Sequence, residues 1–296
     1  FEIFNMENPA SILLKIEEHI GYITFNRPDK YNAVNQDLAL TLQEALAVCR
    51  DDETVRAIYL TGIGKAFCAG QDLAEIVDPD GPDITKIVGD HFNPIVKLIR
   101  EIEKPIVAAV NGIAAGAGAN LALCCDIVVA AESSYFLQAF SKIGLIPDSG
   151  GTYFLPRLIG LQKASALMML GDKVSATEAE RIGMIYKVFP DTDFEKASKA
   201  IVHKLAQLPT RGLGLTKRAL NYSLHNDLDT QLGIEEQLQT TAGANSTTVG
   251  FDTPTGTNTI DFPDASGDVC LTSGNCAGVG GNGDLVNGGQ TGPVSV

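Results

Sequence analysis

Residues 105–131 read P-I-V-A-A-V-N-G-I-A-A-G-A-G-A-N-L-A-L-C-C-D-I-V-V-A-A, and the fold is decided there. Residues 105–110 and 126–131 are short apolar runs without polar alternation. That pattern predicts strands covered on both faces, because a strand with one wet face alternates apolar and polar side chains. Between them, residues 117–125 are small and apolar and read as a buried helix entered through a Gly-rich turn. Working outward, Ile12, Leu14 and Ile16 alternate, a polar turn leads to Gly21, and Ile23 and Phe25 alternate again, which predicts a hairpin. Asn35 is placed to cap a helix whose apolar face is Leu38, Leu42, Ala45, Leu46 and Cys49. Residues 55–61 read as a further strand. Beyond residue 160 the period is helical, over 161–171, 175–183, 193–207, 211–225 and 228–242. Strand-strand-helix units followed by helices predict an α/β core with a helical C-terminal region.

The bulk numbers exclude some classes. Hydrophobic residues make up 45% and charged residues 20% of 296, as in ordinary globular chains. No apolar run approaches the roughly 18–20 residues that cross a bilayer, so no membrane partner is expected. FEIFNMENPA has neither a basic flank nor a long apolar core, which argues against a secretory signal. Met6 offers itself as a start, with an N-terminal extension over residues 1–10. The net charge of −14 gives a polyanion no general attraction, so nucleic acid is not an expected partner. Cysteines stand at 49, 68, 124, 125, 270 and 276, the first four in apolar surroundings. They read as reduced core thiols of a cytoplasmic protein. Zinc at Cys124-Cys125 is disfavoured, since adjacent side chains point apart and no His or carboxylate cluster accompanies them; no metal is expected.

Residues 246–296 differ in kind. They hold no Lys or Arg, five Asp and eleven Gly. Such a segment buries too little apolar surface to offset its ordering entropy, and it reads as a disordered or foreign tail. Its Asp residues lack the spacing of a calcium loop. The expected organisation is therefore an extension over 1–10, a core over 11–195, a helical region over 196–245 and the tail.

Three turns carry the chemistry. KAFCAGQDL (65–73) follows one strand, and NGIAAGAGANLAL (111–123) follows another and opens a helix. Small residues let a backbone approach a ligand, and first-turn helix N–H groups are unpaired and partly positive. Two such groups facing one point make an oxyanion hole. Either turn alone reads equally as a tight strand-to-helix connection. The third is GLIPDSGGT (144–152). Its Asp148 could act as an acid–base or simply cap the next helix.

These motifs, with FNRPDKYNAVN at 25–35 and SKIGLIPDSGGTYFLPRLIG at 141–160, resemble the crotonase (enoyl-CoA hydratase/isomerase) superfamily in order and spacing, over residues 11 to about 243. The resemblance implies a spiral of ββα repeats with a C-terminal helical trimerisation region, in a homotrimer or a hexamer. It implies an acyl-CoA substrate and no separate cofactor, coenzyme A being part of the substrate. It places the thioester oxygen on the backbone N–H groups of Gln71 and Ala117. The CoA nucleotide falls near residues 27–33, including Arg27, Lys30 and Ala33. The remaining substrate-binding candidates are Ala69, Asp72, Leu73, Gly116, Asn120, Phe140 and Pro147. Relatives continue after residue 243 with a last helix, where this chain has its Gly/Asp-rich segment.

Two-glutamate hydratases of the family carry one carboxylate at the position of Asn120 and another at that of Phe140. Both are missing, so Asp148 is left as single acid–base, at the position where the family's isomerases place theirs. Burial beside Leu145, Ile146 and Phe140 is expected to raise its pKa. Within the superfamily, AGQDL, AAGAGA, AFSKIGLIPDSGGT and PTRGLGLTK (209–217) resemble isomerases of ring-epoxide type, and the resemblance implies that or a double-bond-shifting activity. A hydratase or thioesterase, and a non-catalytic binding protein of the same fold, are the competing readings.

Overall fold

The computed structural model describes residues 10–243. The tail over 246–296, with Cys270 and Cys276, and all of the N-terminal extension except Ala10 lie outside the described residues. The chain divides into two compact units, the first ending at Lys217 and the second beginning at Arg218.

The first unit opens with an antiparallel hairpin, β1 (Ile12–Glu17) and β2 (Ile20–Phe25). Its two turn residues, Glu18 and His19, have positive φ of 49° and 65°, as the tightest hairpin turns require. Gly21 follows this turn, inside β2. A Cβ there would come within 2.4 Å of Cys49 Sγ. β1 is an edge strand, and Leu14 and Ile16 remain exposed on it.

Asn35 caps α1 (Gln36–Asp51), its side chain accepting from Leu38 N at 3.1 Å. Thereafter the chain alternates between two sheets. β3 (Ala57–Gly62) joins the first sheet and β4 (Ala66–Cys68) the second, followed by helices α2 (Leu73–Val77), α3 (Ile84–Lys86), a π-helical turn (Ile87–Phe92) and α4 (Asn93–Glu101). The next repeat is β5 (Ile106–Val110), β6 (Ile113–Ala115) and α5 (Ala117–Leu123). The third is β7 (Ile127–Ala131), β8 (Tyr135–Leu137) and, after a short 3₁₀ turn, α6 (Gly151–Ile159). Then come α7 (Leu161–Leu170), β9 (Lys173–Ser175), α8 (Ala176–Arg181), β10 (Lys187–Phe189), α9 (Phe194–Gln207) and α10 (Thr210–Ser223). The first sheet has the order β1-β2-β3-β5-β7-β10 and is parallel from β2 onward. The second has the order β4-β6-β8-β9. Each ββα repeat thus adds one strand to each sheet, a spiral.

Both faces of the larger sheet are covered. Ile58, Leu60, Ile106, Ala108, Val110, Val128 and Ala130 pack into one core with α1, α4 and α5. Their neighbours Ala57, Tyr59, Val107, Ala109, Val129 and Ala131 pack into a second core under α9, against Phe194, Val202 and Ala206. The unbroken apolar runs have this cause: period-two side chains meet protein on either side. The helical region set out from residue 196 begins, accordingly, as a helix that covers the sheet.

A buried ion pair fastens α10. Lys217 Nζ lies 2.7 Å from Asp126 Oδ2, Arg100 lies 3.0 Å from Oδ1, and Ile106 N donates to Oδ2 at 2.9 Å. Burial holds the Lys217 ammonium below its ordinary pKa, and Asp126 opposes that shift. Gly214 is required beside it, since a Cβ would meet Glu103 O at 2.3 Å.

The second unit holds the end of α10 and α11 (Leu228–Gly243). Asp227 accepts from Thr230 N at 2.8 Å, and Gln231 Nε2 donates to Ala219 O at 3.1 Å. No helix among the described residues is long and apolar enough to cross a membrane.

Candidate active site

Gly70 has φ of +88°, a region that side chains disfavour. It turns the chain from β4 into a single parallel bridge between Val34 and Gln71. Within that bridge Val34 N donates to Gly70 O, and Asp72 N donates to Val34 O. Backbone groups alternate in direction along an extended chain, so the N–H of Gln71 points away from Val34. The second turn ends at Gly116, with φ 53° and ψ −128°, and Ala117 opens α5. Its N–H belongs to the first helical turn and has no acceptor within the helix. Neither N–H donates to a protein acceptor among the described residues.

The two turns pack backbone against backbone. A Cβ on Gly70 would lie 2.8 Å from Ala115 O and 3.2 Å from Ala117 N, and one on Gly118 would strike Cys68 O at 2.2 Å. This contact is why small residues fill both motifs. Burial pushes the Cys68 thiol up to about 12, against a weaker hydrogen bond from Gly70. That thiol is therefore no nucleophile at neutral pH.

Both turns line a cavity of about 290 Å³, with Ala33, Ala69, Gln71, Leu73, Gly116, Ala117, Phe140 and Asp148 among its walls. Ile76, Ile84, Ile87, Ile143 and Leu145 complete an apolar side. Asp148 is the one ionisable side chain among the lining residues. Burial raises its carboxyl pKa above 3.8, offset in part by hydrogen bonds from the Ser149 hydroxyl and its own backbone. Ser149 Oγ donates to Asp148 Oδ1 at 2.9 Å. Phe140, which lines the same cavity, is buried. Ile146, expected to contribute, is 81% exposed, and Leu145 is also exposed although its side chain borders the cavity.

Asp148 does not cap the following helix. The N-cap of α6 is Gly150, without a side-chain cap, and it is the backbone oxygen of Asp148 that accepts from Gly151 N. The geometry removes the capping reading, and Asp148 is among the residues that line the cavity.

Five candidates do not line this cavity. Arg27 is committed to Asp72, 3.0 Å from its carboxylate, and donates to Ala33 O. The pair ties the segment after β2 to the Gly70 turn. Lys30 is exposed in a 3₁₀ turn at Pro28–Lys30, and Pro147 precedes Asp148 without lining the space. Asn120 is fully buried. Its Nδ2 donates to Asp148 O at 2.8 Å, and its Oδ1 accepts from Gln138 Nε2 at 2.8 Å.

Sequence reasoning passed over Asn32, Gln138 and Ser149. Asn32 is buried with φ of 56°, and its amide bonds Arg27 N, Ile63 O and Ala66 O. Asn next to Tyr31 in a turn was the available signal, since Asn tolerates the left-handed region. Among the described residues no group of three or more His, Cys, Asp or Glu is placed to hold a metal. Cys124 and Cys125 do not point apart as expected of adjacent side chains. At the end of α5 both thiols reach Leu121 O, at 3.2 and 3.3 Å.

Residues 15–253 match the family model described as Enoyl-CoA hydratase/isomerase, about ten residues beyond the similarity seen in the motifs. A 1,2-epoxyphenylacetyl-CoA isomerase of Escherichia coli is 46% identical over 235 residues, 78% of this chain and 90% of that protein. A protein of Rhodobacter capsulatus named "Probable enoyl-CoA hydratase" is 42% identical over 229 residues, 77% of this chain and 88% of that one. The crystal structure of an enoyl-CoA hydratase from Bacillus anthracis superposes with a TM-score of 0.73 at 32% identity, covering 81% of this chain and 92% of the other.

Proposed function

The chain belongs to the enoyl-CoA hydratase/isomerase family of the crotonase superfamily, and from that premise we propose that it is an acyl-CoA isomerase with Asp148 as its single acid–base. The observation that carries the reading is the cavity itself: one carboxyl, of raised pKa, in an otherwise uncharged space beside two unengaged N–H groups. A thioester carbonyl oxygen accepting from Gln71 N and Ala117 N becomes an enolate oxygen when the α-carbon loses a proton. Donors already oriented stabilise that charge without reorganising. Asp148 takes the α-proton, is neutral while the enolate exists, and returns the proton at a different carbon. The formula is unchanged and the base is regenerated. No resident cofactor takes part in this scheme.

The positions of the two hydratase glutamates support the same choice. Phe140 is apolar wall, and Asn120 is turned to the backbone of Asp148. Adding water takes one group to activate it and another to protonate carbon, and the cavity offers one. The substrate we propose is 1,2-epoxyphenylacetyl-CoA, converted to the seven-membered oxepin-CoA in phenylacetate catabolism, with 3-enoyl to 2-enoyl double-bond shifts as a second activity. The similarity to the Escherichia coli isomerase supports it.

Hydration is the second reading, favoured by the similarity to a protein named as a hydratase. A panel of enoyl-CoA and arylacetyl-CoA substrates, including the epoxide, separates the two. Isomerisation is expected to give products of unchanged mass and altered ultraviolet spectrum. Products heavier by one water, without mass-neutral turnover, sink the isomerase reading.

Assembly as a trimer, or a dimer of trimers, belongs to the same proposal. Leu158, Leu161, Met169 and Leu170 of α6 and α7 are exposed on the isolated chain, and helices with two apolar faces need partners. Light scattering at micromolar concentration is expected to show the trimer; a strict monomer contradicts it.

A further inference from the structure

Asn120 stands one helical turn after Ala117 on α5; Ala117 lines the cavity and Asn120 does not. It is 0% exposed, and its amide is used at both ends: Nδ2 on the backbone oxygen of Asp148, Oδ1 on Gln138 Nε2, each at 2.8 Å. Gln138 is 2% exposed and stands two residues before Phe140, in the segment leaving β8. Gly151 makes room for the arrangement, because a Cβ there would come within 2.3 Å of Asn120 Nδ2. One side chain thus joins the helix that presents the Ala117 N–H, the segment that presents Phe140, and the turn that presents Asp148.

The turn needs such a fastening. Ser149 is a non-Gly residue at φ of 51°, followed by Gly150 at φ of 75°. Left-handed backbone in a non-Gly residue persists where its surroundings over-determine it. Leu145 and Ile146, just before the turn, are exposed, so the segment is not pinned from the solvent side.

We propose that Asn120, braced by Gln138, is a positioning residue that fixes the Asp148 carboxyl relative to the Ala117 N–H. The proposal rests on the isomerase reading, since it assumes that Asp148 moves the proton. Asn120 does not touch substrate; it sets the distance across which the proton travels. A misplacement near 1 Å at a reacting group costs on the order of 100-fold in rate.

The test uses the full chain and α-proton exchange of an acyl-CoA into deuterated water, beside isomer formation. Asn120→Leu keeps the volume and removes both hydrogen bonds. It is expected to lower kcat, and the exchange rate with it, by about 10- to 100-fold with KM within about threefold. A purely structural role lowers the melting temperature and leaves the kcat of the folded fraction alone. Gln138→Met removes only the brace and is expected to cost about 3- to 10-fold in the same parameter; it decides the matter should Asn120→Leu not fold. Wild-type exchange in a folded Asn120→Leu protein, or failing that in Gln138→Met, overturns the proposal. A wild-type enzyme that exchanges α-protons but forms no isomer overturns the isomerase reading alone, and the Asn120 comparison still stands on exchange. A wild-type enzyme that does neither overturns both.

Discussion

Asp148→Asn is expected to lower turnover by about two to four orders of magnitude, the usual worth of general acid–base catalysis. The substitution keeps size and shape and removes the proton acceptor. Acyl-CoA binding is expected to survive, because the proposed donors to the thioester oxygen are backbone groups, those of Gln71 and Ala117. Stability supplies an independent sign. Burial raises the folded-state pKa of Asp148 above 3.8, so the folded chain holds this proton more tightly than the unfolded one. The associated stability is present below 3.8 and is lost as pH rises through the window up to the raised value. Once ionised above that window, the carboxylate is partly desolvated in the native protein, a cost that a neutral amide does not carry. The melting temperature of Asp148→Asn at pH 7 is expected to be unchanged or higher, whereas loss of a helix cap would lower stability by about 1 kcal/mol. The native pH–rate profile should show an acidic limb above the ordinary aspartate range. Turnover and melting measured on this one variant decide the matter, and a catalytically normal Asp148→Asn ends the mechanism.

The elements were legible where local physics decides them. Apolar runs at 105–110 and 126–131 announced strands buried on both faces, and Asn35 announced a cap, because each depends on residues a few positions apart. That β3 and β4 go to different sheets was legible only through the resemblance, since nothing in a three-residue strand says which partner it will take. The site divides along the same line. Gly70, Gly116 and Asp148 stand in motifs whose backbone demands are local. The amide of Asn120 was invisible, because its acceptor is 28 residues away and any buried Asn could have faced the substrate. Arg27 was assigned to coenzyme A through the resemblance, and its carboxylate partner, 45 residues on, was not legible. Ile146 looked buried because it is apolar, yet an apolar residue beside a Pro/Gly turn has no sheet or helix face to bury it.

The remaining large effect is expected from Ala117→Pro, which deletes one of the two proposed oxyanion donors and almost nothing else. Proline is tolerated at the first position of a helix, where the N–H has no intrahelical acceptor to lose. The residue before it must be extended, and Gly116 at φ 53° and ψ −128° is the mirror image of that conformation, which glycine adopts as readily as its opposite. Far-ultraviolet circular dichroism and melting should therefore stay close to wild type. Removing one such donor elsewhere costs about 10²–10³ in kcat, and the same loss is expected here, since the ring replaces a donor at the point where charge develops. Asp148 is untouched, so the acidic limb of the pH profile should remain where it was, unlike in any variant that disturbs the carboxyl. The two effects are thus separable by pH as well as by size. A folded Ala117→Pro protein with wild-type turnover would show that no negative charge forms on the thioester oxygen at this position, and enolate chemistry in this cavity would have to be abandoned even if Asp148 proved essential.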